Sequence, residues 1–196
     1  MRQETVIRHG EDGFAGMRKA GRLAASVLDM ITPHVVAGVT TEELDRLCHD
    51  YILAHGAVPA PLNYKGFPKS ICTSINHVVC HGIPSDKILK DGDIINVDVT
   101  ALKDGWHGDT SRTFEIGNVS IKAKKLVQTT YEAMMKAIKI VRDGIYLGDI
   151  GATIQKHVED EGFSVVQDFC GHGIGKSFHK EPNKKRWGVA YFANPE

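Results

Sequence analysis

The chain has 196 residues and a mass of 21.5 kDa, a size that fits one globular domain. Hydrophobic residues make up 42% and charged residues 24%, so the chain has enough core-forming side chains to exclude intrinsic disorder. The 24 basic and 24 acidic residues cancel, so no overall field favours binding to nucleic acid or to an anionic membrane.

The sequence carries no pattern of export or of a membrane anchor. No apolar run reaches the roughly 18 residues of a membrane helix, and the charged N-terminus is unlike a signal peptide. The four cysteines include no Cys-x-x-Cys pair, which disfavours a zinc ribbon, and they suggest no disulfide framework. We therefore expect a cytoplasmic protein.

Two helical patterns open the chain. Apolar residues between positions 14 and 31 recur at helical spacing. We expect Asp12 to cap this helix and Pro33 to end it. Thr40 and Glu43 form a capping-box pattern, which predicts the start of a second helix.

Strands are predicted in the middle of the chain. Residues 57–69 form a loop with aromatic side chains that can wall a pocket, and residues 70–80 are strand-like. Further on, Asp104-Gly105 separates two runs rich in strand-forming residues, 94–102 and 106–116. Asp-Gly between such runs is typical of a tight hairpin.

Two more helices are predicted at about 120–142 and 148–161, followed by a short strand at 163–168. Two helices, a group of strands and two further helices favour helices packed on one face of a largely antiparallel sheet. The predicted fold class is therefore α+β.

The hairpin places two carboxylates on one face. A two-residue turn pairs Asp98 with Ser111 and Asp109 with Thr100, so the two aspartates are diagonal neighbours, while Arg112 points to the opposite face. Two close carboxylates need a proton, a cationic side chain or a metal ion between them. The alternative is that both are solvated on an open sheet face, and the hairpin alone favours neither.

Three histidines are candidates for chemistry. His172 lies between glycines, His179 follows Phe178, and His81 follows Cys80. Each histidine taken alone is more often structural or solvated than catalytic. A dyad of Cys80 and His81 is not expected, because adjacent residues on a strand point to opposite faces.

Five segments, in this order and spacing, resemble bacterial type I methionine aminopeptidases, which are metallopeptidases of the pita-bread fold. The resemblance extends from about Asp12 to Pro182, and its strongest segments are Lys69–Cys72, Ile75–Pro84, Asp91–Thr100, Trp106–Ser111 and Gly171–Gly175. It implies a curved antiparallel sheet with helices on one face. Residues 1–182 would form the catalytic domain.

The resemblance also implies an activity. A metal-activated water would hydrolyse the bond after the N-terminal initiator methionine of nascent polypeptides. The expected cofactors are two divalent metal ions, drawn from Mn, Fe, Co, Zn or Ni. The ribosome is a candidate partner, a monomer is expected, and no membrane or specific nucleic acid is implied.

The resemblance assigns roles to individual residues. Asp98, Asp109 and His172 match three of five metal ligands, with Asp109 bridging both ions. His81 matches the histidine that hydrogen-bonds the scissile amide, and His179 matches the one that polarises the scissile carbonyl.

Two binding features follow from the same resemblance. The pocket for the methionine side chain would be lined by Tyr64, Phe67, Cys72 and Phe178, with Phe67 in place of a more usual tyrosine. A monovalent cation would bind near Asn76 and Val78.

The C-terminal residues depart from the resemblance. The two remaining ligands are glutamates of the C-terminal half, one in a Glu-x-x-Pro motif, and the chain ends at Glu196 before either. Residues 183–196 form a divergent tail. We therefore expect the C-terminal half of the fold to be incomplete, through a frameshift, a premature stop or an incomplete gene model.

Two hypotheses remain open at this point. The chain is either a methionine aminopeptidase or a catalytically impaired remnant that acts at most as a peptide-binding module. A third reading, a hydrolase of the same fold acting on proline-containing peptides or creatine-like substrates, is weaker, because residues 69–84 match the methionine branch.

Overall fold

The computed structural model describes residues 7–180 and the backbone of residues 192–193. They form two units, one of residues 7–119 and 174–180, the other of residues 120–173 and 192–193. Apart from residues 192–193, the predicted tail 183–196 and the domain boundary before it lie outside the described residues. None of the described helices combines the length and the apolar character needed to cross a bilayer.

Two helices open the first unit, as predicted. Helix α1 spans Glu11–Ile31 and is followed by a 3₁₀ turn, and helix α2 spans Thr41–Ala54. The Thr40 hydroxyl accepts a hydrogen bond from the Glu43 backbone N–H at 3.2 Å, which confirms the predicted cap of α2. The expected cap of α1 is wrong, because Gly10 is the N-cap and Asp12 lies in the first turn, where its charge favours the helix dipole.

A four-stranded antiparallel sheet follows. Strand β3, Ile94–Lys103, pairs along its whole length with β4, Trp106–Glu115. Its other edge is shared by β1, Val58–Pro59, and β2, Cys72–Ile75. The pairing of β1 lies inside the segment predicted as a loop.

Strand β2 is shorter than the predicted run 70–80, and Asn76 is the reason. Its φ of 51° leaves the extended region directly after Ile75. Its side chain donates to Asp93 Oδ1 at 2.7 Å and accepts from the Ile94 backbone N–H at 3.0 Å. These contacts to the start of β3 hold Asn76 in a turn.

The core of the first unit lies between the helices and one face of the sheet. Alternation along β3 predicted which side chains face the helices, and those residues are all fully buried: Ile95, Val97, Val99 and Ala101. Helices α1 and α2 contribute Val27, Ile31, Leu44 and Ile52 to the same core. Arg112 lies on this helix side, as predicted, and donates to Asp29 Oδ1 at 2.8 Å and to Thr32 Oγ1 at 2.9 Å.

The second unit is built on two helices and a short strand pair. Helix α3 spans Ile121–Ile140 and helix α4 spans Leu147–Asp160. They pack around Ala133, Val158 and Phe163. Strand β5, Ser164–Val165, pairs with β6, Phe192–Ala193, and is shorter than the strand predicted at 163–168.

Candidate active site

The hairpin register is the predicted one. Asp98 pairs with Ser111, and Thr100 pairs with Asp109. The turn residues Asp104 and Gly105 have φ of 50° and 79°, which is the backbone of a two-residue turn whose twist matches antiparallel strands. Asp98 and Asp109 are therefore diagonal neighbours on the sheet face that points away from α1 and α2.

The electrostatics of this face disfavour a second negative charge. Burial and, after it, the charge of Asp109 raise the pKa of Asp98, while a hydrogen bond from the Val99 backbone acts in the opposite direction. Cys72 pairs with Asp98 across β2 and β3. Burial, followed by the charge of Asp98, raises the pKa of Cys72 to about 12. A cation at this position would relieve the repulsion between the carboxylates.

The donor chemistry of the pair fits a divalent metal ion. Carboxylate oxygens are ligands that Mn and related divalent ions accept. Among the described residues, no three His, Cys, Asp or Glu side chains are grouped as a metal site. His172 belongs to the second unit, where its Nδ1 lies 3.0 Å from the Gly173 carbonyl oxygen. Its role as a third ligand stays a prediction.

A hydrogen-bonded contact from α2 positions the segment that leads into β2. Asp45 Oδ1 accepts from the backbone N–H of Ser70 at 2.8 Å and of Ile71 at 2.9 Å, and His49 Nδ1 lies 2.8 Å from Ser70 Oγ. Burial raises the pKa of Asp45 despite these two bonds. Cys72 thus follows an anchored segment. The role of Asp45 could not be predicted from local sequence, because its partners lie 25 and 26 residues away.

Aromatic side chains gather in the first unit, and three of the predicted site residues are among them. The centroids of Tyr64 and Phe178 are 4.9 Å apart, and those of Phe178 and His179 are 4.3 Å apart. The Tyr64 hydroxyl lies 3.0 Å from His179 Nδ1. We call Tyr64, Phe178, His179 and His107 the aromatic cluster.

His107 is the one member of the aromatic cluster that was not predicted from the sequence. Its ring lies nearly parallel to that of Phe178, with an interplanar angle of 11° and centroids 5.6 Å apart. The alternation of side chains along a strand could have predicted its place, because His107 and Asp109 are two positions apart on β4 and therefore share a face.

Phe67 lies in the same turn as Tyr64. The Asn63 N–H donates to the Phe67 carbonyl at 2.8 Å, and the Phe67 N–H donates to the Tyr64 carbonyl at 3.0 Å. Asn63 has a φ of 64°, which closes the turn. The structure therefore brings the backbones of two predicted pocket residues together.

His81 lies in the loop after β2 and not on a strand. Its φ is 54°, and its side chain is exposed. The next residue, Gly82, accepts from the Thr73 N–H at 2.8 Å and donates to Ser74 Oγ at 3.2 Å. The argument against a dyad of Cys80 and His81 is therefore wrong, because it assumed that both residues lie on a strand.

The predicted monovalent-cation position lies in the turn after β2. Both polar atoms of the Asn76 side chain have protein partners, and the Val78 N–H donates to the Ile75 carbonyl at 3.0 Å. A cation near Asn76 and Val78 stays a prediction.

Known proteins are similar to this chain in sequence. Residues 15–193 match the family described as Metallopeptidase family M24. The chain is 60% identical over 184 residues to a methionine aminopeptidase of Rickettsia prowazekii, covering 94% of this chain and 71% of that protein. It is 60% identical over 168 residues to the methionine aminopeptidase of Escherichia coli (strain K12), covering 85% of this chain and 64% of that protein. The chain thus spans about two thirds of the length of these curated relatives.

The structure is also similar to solved ones. The crystal structure of the Rickettsia prowazekii methionine aminopeptidase matches with a TM-score of 0.91 and 59% identity, covering 95% of this chain and 75% of that chain. The antiparallel sheet, the helices on one of its faces and this similarity confirm the predicted α+β, pita-bread fold class.

Proposed function

Since this chain belongs to the metallopeptidase family M24, we propose that it removes the N-terminal methionine of nascent polypeptides by hydrolysing the peptide bond that follows it. The observation that carries the proposal is the 60% identity to methionine aminopeptidases of two bacteria, over 94% and 85% of the chain. The paired carboxylates and the aromatic cluster supply residues that suit this chemistry. We also propose that the protein acts in the cytoplasm as a monomer and that its substrates are chains at the ribosome.

Asp98 and Asp109 would hold the metal, with His172 as a third ligand. The candidate ions are Mn, Fe, Co, Zn and Ni. When bound, such an ion lowers the pKa of a water molecule and polarises the carbonyl that the water attacks. Asp109, the diagonal neighbour of Asp98, would be the ligand that two ions share, as the resemblance to the family implies.

His179 would stabilise the oxyanion that develops on the scissile carbonyl. The Tyr64 hydroxyl lies 3.0 Å from its Nδ1, so a hydroxyl that donates to Nδ1 leaves the proton on Nε2. In that tautomer Nε2 is the donor to the carbonyl oxygen. His81, which is exposed in the loop after β2, would hydrogen-bond the scissile amide.

The methionine side chain would occupy a pocket of aromatic rings and a thiol. Its proposed lining is Tyr64, Phe67, Cys72 and Phe178. Aromatic rings and sulfur make favourable contacts with a linear thioether. Cys72 suits this role because burial raises the pKa of its thiol, which favours the neutral form.

The test is methionine release from a Met-Gly-peptide by the purified chain, with and without added Mn²⁺ or Co²⁺. His81→Ala runs in parallel to reveal contamination by the host enzyme. His34→Ala is the matched control, since His34 is exposed in the turn after α1. Metal-dependent release that His81→Ala abolishes and His34→Ala retains is the expected result.

Release no greater than that of His81→Ala would contradict catalysis by this chain. The remnant hypothesis would then be tested by binding of the same peptide. Saturable binding without hydrolysis would identify a peptide-binding module.

A further inference from the structure

We infer that His107 is a positioning residue that holds residues 174–180, and with them His179, against strand β4. The inference rests on the proposed function, because it concerns the histidine proposed to act on the scissile carbonyl. His107 itself is 8% exposed and lies two positions before Asp109.

His107 binds one carbonyl with two donors. Its backbone N–H donates to the Gly175 carbonyl oxygen at 2.9 Å, and its Nδ1 lies 2.9 Å from the same oxygen. A carbonyl oxygen only accepts, and it has two lone pairs, so Nδ1 must carry a proton for the second bond to exist. The contact therefore selects the tautomer of His107 as well as the position of Gly175.

The segment that His107 binds has little regular structure of its own. Residues 175–179 form bends and not a helix or a strand, so their placement depends on contacts with other elements. Lys176, whose ammonium lies 5.3 Å from the centroid of the Trp106 ring, supplies one such contact. Strand β4, by contrast, is paired with β3 at ten positions. His107 thus links a loop to a strand that is paired along its whole length.

The bond to Gly175 acts on His179 through the short chain segment that joins them, and ring packing accompanies it. The His107 ring packs on Phe178 at 5.6 Å, and Phe178 packs on His179 at 4.3 Å. The Tyr64 hydroxyl then orients His179 through Nδ1 at 3.0 Å. His107 acts from the strand side and Tyr64 from the loop side, and together they limit both the position and the rotation of the His179 ring.

Two substitutions separate the two contributions of His107. His107→Asn keeps a side-chain donor near the position of Nδ1 and removes the ring. His107→Phe keeps a ring that can stack on Phe178 and removes the donor. His107→Ala removes both, and His34→Ala is the matched histidine control outside the site.

The activity test measures kcat and KM for the Met-Gly-peptide with added Mn²⁺, beside the thermal midpoint of each variant. We expect His107→Ala and His107→Phe to lower kcat by about tenfold to a hundredfold, the range that misplacement of a catalytic group produces. His107→Asn is expected within about threefold of the unsubstituted chain, because it restores the bond to Gly175. A kcat of His107→Phe equal to that of the unsubstituted chain would overturn the inference, as would His107→Asn as impaired as His107→Phe.

A second readout does not depend on activity. In the unsubstituted chain, ¹⁵N-histidine NMR is expected to show His107 with its proton on Nδ1, and His107→Phe is expected to shift and broaden the His179 ring signals. Unchanged His179 signals in His107→Phe would refute the inference. A chain that shows the expected NMR but releases no methionine would contradict the proposed function and leave the positioning role supported.

Discussion

Replacement of Gly108 by alanine tests how closely helix α1 crosses strand β4. A methyl group on Gly108 would overlap the carbonyl group of Ala20 and the backbone nitrogen of Gly21. These are backbone atoms of a helix, so no side-chain rotation can relieve the overlap. The helix would have to move away from the sheet.

The expected cost follows from what α1 buries. Its inner face contributes Ala20, Leu23, Ala24, Val27, Leu28 and Ile31, all buried against the core. Inserting one methyl group into a well-packed core costs about 1–3 kcal/mol, and an overlap with backbone belongs at the upper end. For a chain of this size, about 3 kcal/mol corresponds to a fall of about 6–12 °C in the thermal midpoint.

The matched control is Gly21→Ala, in the middle of the same helix. No atom outside the helix backbone lies within 4 Å of the position its methyl group would take. Alanine is better than glycine in a helix interior by about 0.5–1 kcal/mol. Both substitutions restrict the unfolded chain to a similar extent, so the difference between them reports the native contact.

The assay is thermal unfolding followed by circular dichroism, at one protein concentration and without added metal. Gly108→Ala should unfold well below the unsubstituted chain, and Gly21→Ala at the same temperature or slightly above. If the thermal midpoint of Gly108→Ala lies within about 2 °C of that of the unsubstituted chain, the close approach of α1 to β4 at Gly108 is wrong.

Three further predictions concern the cap of α2, a buried thiol and the carboxylate pair. Thr40→Ala should lower the free energy of unfolding in urea by about 1 kcal/mol, because the Glu43 N–H loses its acceptor; an unchanged midpoint would contradict this. Burial raises the pKa of Cys48 from 9.0 to about 12, so alkylation of this thiol at pH 8 should require unfolding. The stability that the buried neutral thiol contributes is complete below pH 9 and is lost as the pH rises toward 12. Fast alkylation of the folded chain would refute the burial. Asp98→Asn should weaken Mn²⁺ binding, measured by calorimetry, by about tenfold or more. It should not lower the thermal midpoint of the metal-free chain, because it removes one of two repelling charges. Asp86→Asn is the control, and an equal loss of Mn²⁺ affinity in both variants would reject Asp98 as a ligand.

Much of the candidate site could be predicted from local sequence. The Asp104-Gly105 turn and the alternation of side chains specify the hairpin register, so the diagonal placement of Asp98 and Asp109 is a local property. The cap at Thr40 is predictable for the same reason, since the bond spans three residues.

The errors have long-range causes. Residues 57–69 contain no strand pattern, yet Val58 and Pro59 pair with the end of β3. The predicted strand 70–80 stops at Ile75, because the Asn76 side chain binds Asp93 and Ile94 across the turn. In each case a partner distant in sequence decides the local backbone.

Within the candidate site, local sequence determines the placement of the two carboxylates, and long-range contacts determine the rest. Alternation and one tight turn, both local, determined by themselves where Asp98 and Asp109 lie relative to each other. Only the tertiary structure decided that His107 binds Gly175, 68 residues away, and that Phe178 and His179 lie beside Tyr64. A loop without regular hydrogen bonds takes its position from distant contacts, and no local pattern in its own sequence specifies them.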